Sequence, residues 1–593
     1  MQLLTLWWRA MESNSALFAA VGAWIAQDPD PHTQHTLRAL LEAQDAQALG
    51  PLFAGRIAFG TAGLRALMGP GPRAMNRLVV QQSTLGILQV LAEEVDAVSD
   101  RGVVVAYDGR LGSRAMAHDA AGILAAQGVL VHLFDRAVPT PVAGFAVKQL
   151  RAAAGIVITA SHNPPAYNGL KVFWHNAAQI VPPTDGAIAE AIEKVAKRPG
   201  AKPLPCLSEA QLRQSPRVSA LGTPMIEAYL GAIEGLGPKG SSSHRAELGI
   251  AYTPLHGVGA DCALAALGRA GFANVHTVAA QREPDGHFPT VRFPNPEEPG
   301  SMDAVLQLAE QTGAALACAN DPDADRLAVA ARDPQGALKL LTGDELGLLL
   351  ADEVLRHAPP GVAVGTTLVS ARGLSRLAQH YGAHYFETLT GFKWLALKAR
   401  TQAQAGRHFA FAYEEALGYA IGEVVWDKDG ISALLAIAKL AAALRANNQT
   451  LWHRLAEISQ KVGVAVSSQA TIALDAAGAQ ALMTALRQAP PRQVGPFDVV
   501  SVSDLMNEQT CHAMGLPQAN VVLLQLQQRA PTVPRIGHAR IIVRPSGTEP
   551  KVKCYYDMLA ECGPQGDWAS TRASALEQLH ALMRAHQKLV QKV

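Results

Sequence analysis

The sequence is poor in cysteine, in long apolar runs and in excess charge of either sign. Its 593 residues include six cysteines and no C-x-x-C pair, which argues against a zinc site or a disulfide framework and favours reduced thiols. No run of 18 apolar residues occurs, so no membrane-spanning helix is expected. Lys and Arg number 51 against 50 Asp and Glu, which gives no support to a nucleic-acid or anionic-membrane partner. We therefore expect a cytoplasmic protein that acts on a small molecule.

The chain is long and rich in apolar residues. Apolar residues make up 49% and charged residues 17%, which is enough to build buried cores and excludes intrinsic disorder. A single hydrophobic core stops growing at roughly 250–300 residues. We therefore expect about four domains of ordinary size.

Three segments repeat one order of elements: an apolar strand, a loop, a helix, a glycine and a second strand. Glycine readily takes the left-handed conformation that ends a helix. Short apolar strands that alternate with helices are typical of α/β domains with buried strands. The pattern thus predicts three related α/β domains. Their first strands begin at Val103, Leu248 and Val362, and the glycines that end their helices are Gly128, Gly271 and Gly382.

Polar stretches rich in proline and glycine, such as residues 197–217 and 331–339, indicate where the domains end. The last part of the chain has five strand patterns and two helical ones, which favours an α+β layout. Asp429 is the expected N-cap of the long helix that precedes this last part of the chain. The predicted units are an N-terminal helical extension at 1–50, α/β domains at 51–215, 216–335 and 336–460, and an α+β domain at 461–593.

Ser161 directly follows an apolar strand pattern and precedes two prolines, Pro164 and Pro165. The prolines favour extended backbone before them, which places the hydroxyl on a rigid loop where α/β folds carry reactive groups. A serine hydrolase is not supported, because G-x-S-x-G is absent and His162 should point away from Ser161 in an extended chain. For the serine alone, an ordinary Ser-Asn-Pro turn is the simpler interpretation.

Asp321, Asp323 and Asp325 follow another apolar strand pattern at alternate positions. In an extended chain their carboxylates face one side, where they repel each other unless a cation lies among them. Oxygen ligands of this kind favour Mg²⁺. An EF-hand is excluded, because Arg326 and Arg332 occupy the positions that need glycine and glutamate. A solvated acidic turn is the alternative interpretation.

Near the C-terminus, the segment Arg544–Lys551 offers an Arg, two hydroxyls and a glycine between two strand patterns. These groups suit a phosphate dianion, although a plain β-turn is equally compatible with the segment. Arg65 ends a glycine-containing loop, and Glu414 and Glu415 follow a strand pattern, where they could accept hydrogen bonds from sugar hydroxyls. Each of these two groups is a weak signal alone.

Together the motifs resemble a known family. TASHNPPAYNGLK, DPDADR, EEALGY and RPSGTEPK occur in the order and spacing of the α-D-phosphohexomutase superfamily. FGTAGLR, TPLHGVG and FAYEEALGY are similar to its branch of long phosphoglucomutases and phosphopentomutases. The resemblance runs from about residue 25 to the end of the chain. It implies three related α/β domains with mixed sheets and a C-terminal α+β domain around a central cleft.

The resemblance also implies roles for the motif residues. Ser161 would carry the phosphoryl group and, with Asp321, Asp323 and Asp325, would ligate Mg²⁺. Three residues would flank the reacting phosphate, with the lysine the better candidate for acid–base work: Arg65, His162 and Lys171. The residues implied to bind the substrate are Arg326, Lys393, Glu414, Arg544, Ser546, Gly547 and Thr548.

The implied activity is intramolecular phosphoryl transfer between C1 and C6 of a hexose, glucose or mannose. It would use a phosphoserine enzyme and a bisphosphorylated sugar such as glucose 1,6-bisphosphate as activator. Closure of the fourth domain, by rotation about a linker near 450–465, would exclude water. We expect a monomer or a small homo-oligomer.

The sugar loop departs from the pattern of many hexose enzymes, G-E-x-S-G. Tyr413 replaces the first glycine of that pattern and Ala416 replaces its serine. The departure leaves open a phosphopentomutase acting on ribose or deoxyribose 1- and 5-phosphates. A metal-dependent phosphatase phosphorylated on serine is a more remote alternative, since it has little use for a second anion site.

Overall fold

The computed structural model describes residues 2–60, 63–198, 202–238, 242–530, 534–545, 551–562 and 567–591, with side chains for all of these except 2–13 and 242–243. Four β-sheets follow one another along this part of the chain, with six, five, four and six strands. No described helix is both long enough and apolar enough to cross a membrane.

The helical patterning at the N-terminus corresponds to three helices: α1 Gln2–Ile25, α2 Pro31–Glu42 and α3 Ala46–Phe53. The Asp30 carboxylate caps α2 by accepting a hydrogen bond from the His32 N–H at 2.9 Å. Trp24, Leu37 and Leu49 are buried in the apolar core of the first α/β domain. The extension and that domain therefore share one core.

The first sheet has the order β1-β5-β4-β2-β3-β6. Its central strands are parallel, and β1 and β5 run antiparallel at one edge. Strand β6 extends the sheet past the predicted boundary at residue 215. The elements are β1 Leu64–Leu67, α4 Arg77–Glu94, α5 Val98–Arg101, β2 Val103–Tyr107, α6 Ser113–Ala126, β3 Val131–Phe134, α7 Thr140–Leu150, β4 Ala154–Ile158, β5 Tyr167–Phe173, α8 Thr184–Ala196, α9 Glu209–Gln214 and β6 Val218–Leu221.

The second sheet has the order β11-β10-β9-β7-β8, with β7, β8 and β9 parallel and the other two antiparallel. A short 3₁₀ helix covers residues 279–281. The elements are α10 Thr223–Glu234, α11 Ser242–Glu247, β7 Ile250–Thr253, α12 Ala260–Arg269, β8 Val275–Thr277, α13 Asp303–Thr312, β9 Leu316–Asn320, β10 Leu327–Arg332 and β11 Leu338–Leu340.

The third sheet has the order β13-β12-β14-β15 and is also mixed. Asp429 caps α17 as predicted, accepting hydrogen bonds from the Ile431 and Ser432 N–H groups at 3.1 and 3.0 Å. The elements are α14 Gly343–His357, β12 Ala363–Thr367, α15 Gly373–Tyr381, β13 His384–Thr388, α16 Phe392–Gln404, β14 Phe409–Glu414, β15 Gly418–Ile421, α17 Gly430–Arg445 and α18 Leu451–Val462.

The predicted threefold repeat is confirmed. Each repeat has the predicted strand, helix and second strand, and its glycine lies after the helix with a positive φ. These angles are 79°, 89° and 65° at Gly128, Gly271 and Gly382. Side chains rarely adopt this conformation, which explains glycine at the three equivalent positions.

The fourth sheet is antiparallel throughout, in the order β16-β21-β20-β19-β18-β17. Helices α19 and α21 cover one of its faces, which confirms the predicted α+β layout. The elements are β16 Val464–Ala473, α19 Ala476–Gln488, β17 Gln493–Val494, β18 Phe497–Asp504, α20 Glu508–Met514, β19 Val522–Gln528, β20 Ile536–Pro545, β21 Lys551–Ala560 and α21 Trp568–Val590.

The predicted linker near 450–465 is wrong for most of its length, because residues 451–462 form helix α18. The helix is fastened to the second domain by the Trp452 indole, which donates to the Ala331 carbonyl at 3.0 Å. Arg454 on the same helix lies 2.9 Å from the Asp352 carboxylate. Gly463 alone separates α18 from β16, with φ at 92°.

Buried charged groups join the fourth domain to the third. Arg540 is fully buried and donates to Asp557 Oδ2 at 3.1 Å and to the Ser370 carbonyl at 2.7 Å. In a second link, Arg572 Nε donates to Glu345 Oε1 at 2.7 Å. The orientation of the fourth sheet therefore depends on partnered charges as well as on apolar packing.

Candidate active site

Residues at the carboxyl ends of strands from different domains meet at one place. Ser161 follows β4 in the first domain, and its hydroxyl donates to Asp321 Oδ2, which follows β9 in the second domain, at 2.8 Å. Arg326 pairs through its backbone with Gly418 in the third domain, which is opposite Glu414 at the carboxyl end of β14. The carboxyl ends of strands are where open α/β sheets bind ligands.

Ser161 is buried and has a left-handed backbone, with φ at 50°. Its N–H donates to Thr159 Oγ1 at 2.9 Å, and its Oγ lies 3.1 Å from His162 Nδ1. The expectation that His162 points away is therefore wrong, because the chain turns at Ser161 instead of extending. A non-glycine residue in this conformation stores strain, which proteins concentrate at functional sites. Burial lowers the pKa of His162 well below its usual value.

The predicted grouping of Asp321, Asp323 and Asp325 is confirmed. All three are buried, and one carboxylate oxygen from each lies within 4.8 Å of the others. The segment is a turn with a positive φ of 56° at Ala324, so the expected extended geometry is wrong. The turn itself brings the three carboxylates together.

The donor set of this triad fits a divalent cation. Asp323 Oδ1 and Asp325 Oδ1 are buried and have no hydrogen-bond partner among the described residues. Burial raises the pKa of Asp321 well above its usual value, and the neighbouring Asp325 and Asp323 raise it further. A bound cation would relieve this repulsion and engage the unpartnered oxygens.

Two buried lysines already neutralise part of the triad. Lys171 Nζ lies 2.7 Å from Asp323 Oδ2 and 2.8 Å from Asp325 Oδ2, and Lys428 Nζ lies 3.2 Å from Asp325 Oδ2. Burial lowers the pKa of Lys171, but Asp323 and Asp325 outweigh it, so the pKa is raised overall. Its acid–base role remains a prediction. Lys428 was missed, although its place between two aspartates, Asp427 and Asp429, is visible in the sequence.

Thr140, at the start of α7 in the first domain, was also missed. Its hydroxyl donates to Asp323 Oδ2 at 2.6 Å, and its N–H donates to the Asp323 carbonyl at 2.9 Å. Thr140 therefore orients a carboxylate of the triad from across the domain boundary. Nothing in the local sequence around Thr140 distinguishes it from an ordinary helix start.

Arg65 and Arg326 contact polar groups beside Ser161 and the triad. Arg65 Nη1 donates to Asn163 Oδ1, in the Ser161 loop, at 2.9 Å. Arg326 Nη1 donates to Glu297 Oε2 at 2.9 Å, and its N–H donates to Asp321 Oδ1 at the same distance. Both guanidinium groups thus add positive charge beside the triad.

The sugar-loop carboxylates have different surroundings. Glu414 Oε1 accepts a hydrogen bond from the Gly391 N–H at 2.8 Å, which places Glu414 beside the segment that carries Lys393. Burial lowers the pKa of Lys393 to about 8. Glu415 instead accepts hydrogen bonds from Thr367 and Ser370 at 3.1 and 2.9 Å. Burial and the neighbouring Glu414 raise the pKa of Glu415 to about 7.

Arg544 is the last residue but one of β20 and is opposite Lys553 on β21. Burial raises the pKa of Tyr555 above its usual value, and the nearby Arg544 guanidinium opposes that rise. Tyr555, Glu415 and Glu297, from the fourth, third and second domains, line one cavity of about 270 Å³. Arg544 is therefore next to a residue that lines a cavity between domains. Three predicted phosphate-binding residues lie outside the described residues: Ser546, Gly547 and Thr548.

Comparison with known proteins identifies the family. Family models named phosphoglucomutase/phosphomannomutase α/β/α domains I, II and III match residues 56–199, 227–336 and 342–462. The chain belongs to the phosphoglucomutase/phosphomannomutase family. Membership confirms the resemblance to the α-D-phosphohexomutase superfamily and makes this protein a mutase, an isomerase that transfers a phosphoryl group.

Relatives at about one-third identity carry names that refer to different sugars. The "probable phosphoribomutase" of Schizosaccharomyces pombe is 35% identical over 90% of this chain and 92% of its own. The "probable phosphomannomutase" of Haemophilus influenzae is 36% identical over 82% of this chain and 93% of its own. The human glucose 1,6-bisphosphate synthase is 34% identical over 92% and 90%. These names agree on phosphosugars and differ on which one.

A solved structure shares the fold across nearly the whole chain. The phosphoglucomutase parafusin from Paramecium, in its open form, superposes with a TM-score of 0.65 at 19% identity. The superposition covers 90% of this chain and 96% of parafusin. At this identity the likeness concerns the fold alone.

Proposed function

We propose that this mutase moves phosphate between C1 and C6 of a hexose, glucose or mannose, with Ser161 as the phosphoryl carrier. The supporting observation is the hydrogen bond of 2.8 Å from Ser161 Oγ to Asp321, a member of a buried triad that fits a divalent cation. A divalent cation beside an oxygen that carries phosphate neutralises the charge of the dianion.

Asp321, Asp323 and Asp325 would hold Mg²⁺ together with Ser161, and Mg²⁺ when bound neutralises charge on phosphoryl oxygens. Lys171 and Lys428 pair with Oδ2 atoms of Asp323 and Asp325, which leaves the Oδ1 atoms of both aspartates for coordination. The chain's own contribution is thus position and charge.

In the first half-reaction, the phosphoryl group on Ser161 passes to the free hydroxyl of a sugar monophosphate. The P–O bond to Ser161 breaks, a P–O bond to the sugar forms, and the hydroxyl proton ends on Ser161 Oγ. We propose His162 and Lys171 as the relay for this proton. The bisphosphate then turns over in the cleft, and its other phosphate returns to Ser161.

Other residues would hold the sugar in both orientations. Glu414 and Lys393 would bind sugar hydroxyls, while Arg65 and Arg326 would neutralise the reacting phosphate. The non-reacting phosphate would be held by Arg544, Ser546, Gly547 and Thr548. A glucose 1,6-bisphosphate activator would supply the phosphate that first loads Ser161.

A pentose is the second candidate substrate, with phosphate moving between C1 and C5 of ribose or deoxyribose. Ala416 supports it, because this position lacks the hydroxyl that many hexose enzymes of the family present. The name of the S. pombe relative supports it as well. Loss of one hydrogen bond to a sugar hydroxyl can shift discrimination substantially.

Ser161→Ala tests the carrier role. The variant should lose turnover but still bind the sugar phosphate, and intact-mass analysis after incubation with glucose 1,6-bisphosphate should show no phosphate adduct. The control is Ser99→Ala, at an exposed serine of the same domain, which should turn over and take up phosphate like the natural chain. Retained turnover in Ser161→Ala would remove Ser161 from the carrier role. A comparison of kcat/KM on glucose, mannose and ribose 1-phosphates decides between the sugars.

A further inference from the structure

Arg110 is a buried guanidinium directly behind the Ser161 loop. It follows β2, and only 1% of its side chain is exposed. Its nearest carboxylate, Asp108, lies 3.5 Å away and is itself held by the Ser113 hydroxyl at 2.7 Å. A charge this deeply buried needs several partners, and most of those of Arg110 come from one loop.

The partners are backbone carbonyl groups of the segment 161–167. Arg110 Nη2 donates to the Ser161 carbonyl at 2.6 Å and also to the carbonyl of Asn163. Nη1 donates to the carbonyls of Pro164 and Tyr167 at 3.0 and 3.2 Å. The planar fork of one guanidinium thus holds four carbonyls of a seven-residue segment.

The same group connects this loop to the second domain. The Phe288 ring lies 4.9 Å from Arg110 Cζ, in a cation–π arrangement. Close to it, a Cβ atom on Gly286 would lie 2.5 Å from the Leu111 backbone nitrogen, so only glycine permits this approach. The guanidinium is therefore enclosed between the Ser161 loop and the domain that carries Asp321.

We propose that Arg110 is a positioning residue for phosphoryl transfer, which holds the left-handed turn at Ser161 so that its Oγ faces Asp321. Arg110 donates to the carbonyl of Ser161 itself, the residue whose backbone is strained. Four carbonyls that converge on one cation would otherwise repel each other and open the turn. The inference rests on the carrier role proposed for Ser161.

Arg110→Lys tests the inference, with Arg114→Lys as the matched control. Lysine keeps the charge but lacks the fork, so it cannot hold all four carbonyls. Arg114 lies four residues further along the chain, in the first turn of α6, with its side chain 56% exposed and paired to Glu209. The measurement is the rate at which glucose 1,6-bisphosphate phosphorylates Ser161, followed by rapid quenching and intact mass.

We expect this rate to fall about 100-fold in Arg110→Lys, because a displacement of about 1 Å at a reacting atom has that effect. The KM for the sugar phosphate should change by less than about threefold, since the residues proposed to bind it are untouched. Arg114→Lys should match the natural chain in both. Added ethylguanidine should raise the phosphorylation rate of Arg110→Ala by about tenfold or more and leave the rate of Arg114→Ala unchanged.

A phosphorylation rate within about threefold of the natural rate in Arg110→Lys would overturn the inference. So would a KM that rises in step with the loss of kcat, an Arg110→Ala variant that ethylguanidine does not restore, or an Arg110→Lys chain without native near-ultraviolet circular dichroism. If Ser161→Ala retained turnover, the proposed function would fail instead, whatever the Arg110 variants showed.

Discussion

Protonation of Asp557 should make the attachment of the fourth domain depend on pH, and Asp557→Asn isolates this effect. Asp557 is buried on β21 and accepts hydrogen bonds from Arg540 Nε at 3.1 Å and from the Arg372 N–H at 3.3 Å. Burial raises its pKa from 3.8 to about 6; Arg540 opposes that rise, and Asp344 adds to it. The perturbed carboxyl thus lies at the boundary between two domains.

The size of the effect follows from the two pKa values. Below about pH 4, Asp557 is protonated in the folded and the unfolded chain alike, and its stabilising contribution is fully present. Between about pH 4 and 6, the unfolded chain has released the proton while the folded chain retains it, so stability falls as pH rises. About two pKa units at 1.36 kcal/mol each correspond to a loss of about 3 kcal/mol.

Asparagine has nearly the same shape but does not titrate. The unfolding free energy of Asp557→Asn should therefore lack this fall, and its difference from the natural chain should change by about 3 kcal/mol across the window. Thermal or urea unfolding measured from pH 4 to 7.5 gives both profiles. Asp498→Asn, at an exposed carboxylate on β18 paired with Arg529 at 3.2 Å, is the control and should run parallel to the natural chain. Parallel profiles for Asp557→Asn would refute the reasoning.

Two further substitutions test the site. Arg544→Ala should raise the KM for the sugar phosphate by about 10- to 100-fold, since a hydrogen bond to a charged group contributes about 1.5–3 kcal/mol. An unchanged KM in steady-state kinetics would speak against an anion site there. Thr140→Val removes the 2.6 Å hydrogen bond to Asp323. The variant should therefore lose about 1.5–3 kcal/mol of unfolding free energy, which is measured as a lower Tm. Thr140→Ser should retain most of this stability, and equal losses in both variants would contradict the role of the hydroxyl.

Much of the fold could be predicted because its signals are local. The strand, helix and glycine pattern at Gly128, Gly271 and Gly382 depends on apolar periodicity and on the conformational freedom of single residues. The Asp429 cap depends on neighbours two and three residues away. The sites at Ser161 and Asp321 were visible for a related reason, because polar residues directly after a buried strand lie at the ligand-binding edge of an α/β sheet.

The predictions that were wrong concern segments where tertiary packing overrides the local preference of the backbone. The prolines after Ser161 predicted extended chain, but Arg110 draws the carbonyls of the loop inward and the backbone turns instead. Residues near 450–465 looked like a linker, yet Trp452 finds a carbonyl partner in the second domain and the segment is a buried helix.

From its own residues, the sequence determined the elements, their repetition and the chemical groups at the strand ends, because these depend on neighbours along the chain. Only the tertiary structure decided which groups meet. Thr140 contacts Asp323 across 183 residues, and Lys171 contacts Asp325 across 154. The environment of a buried charge is set by whatever lies within a few ångströms of it, and that depends on how whole domains pack.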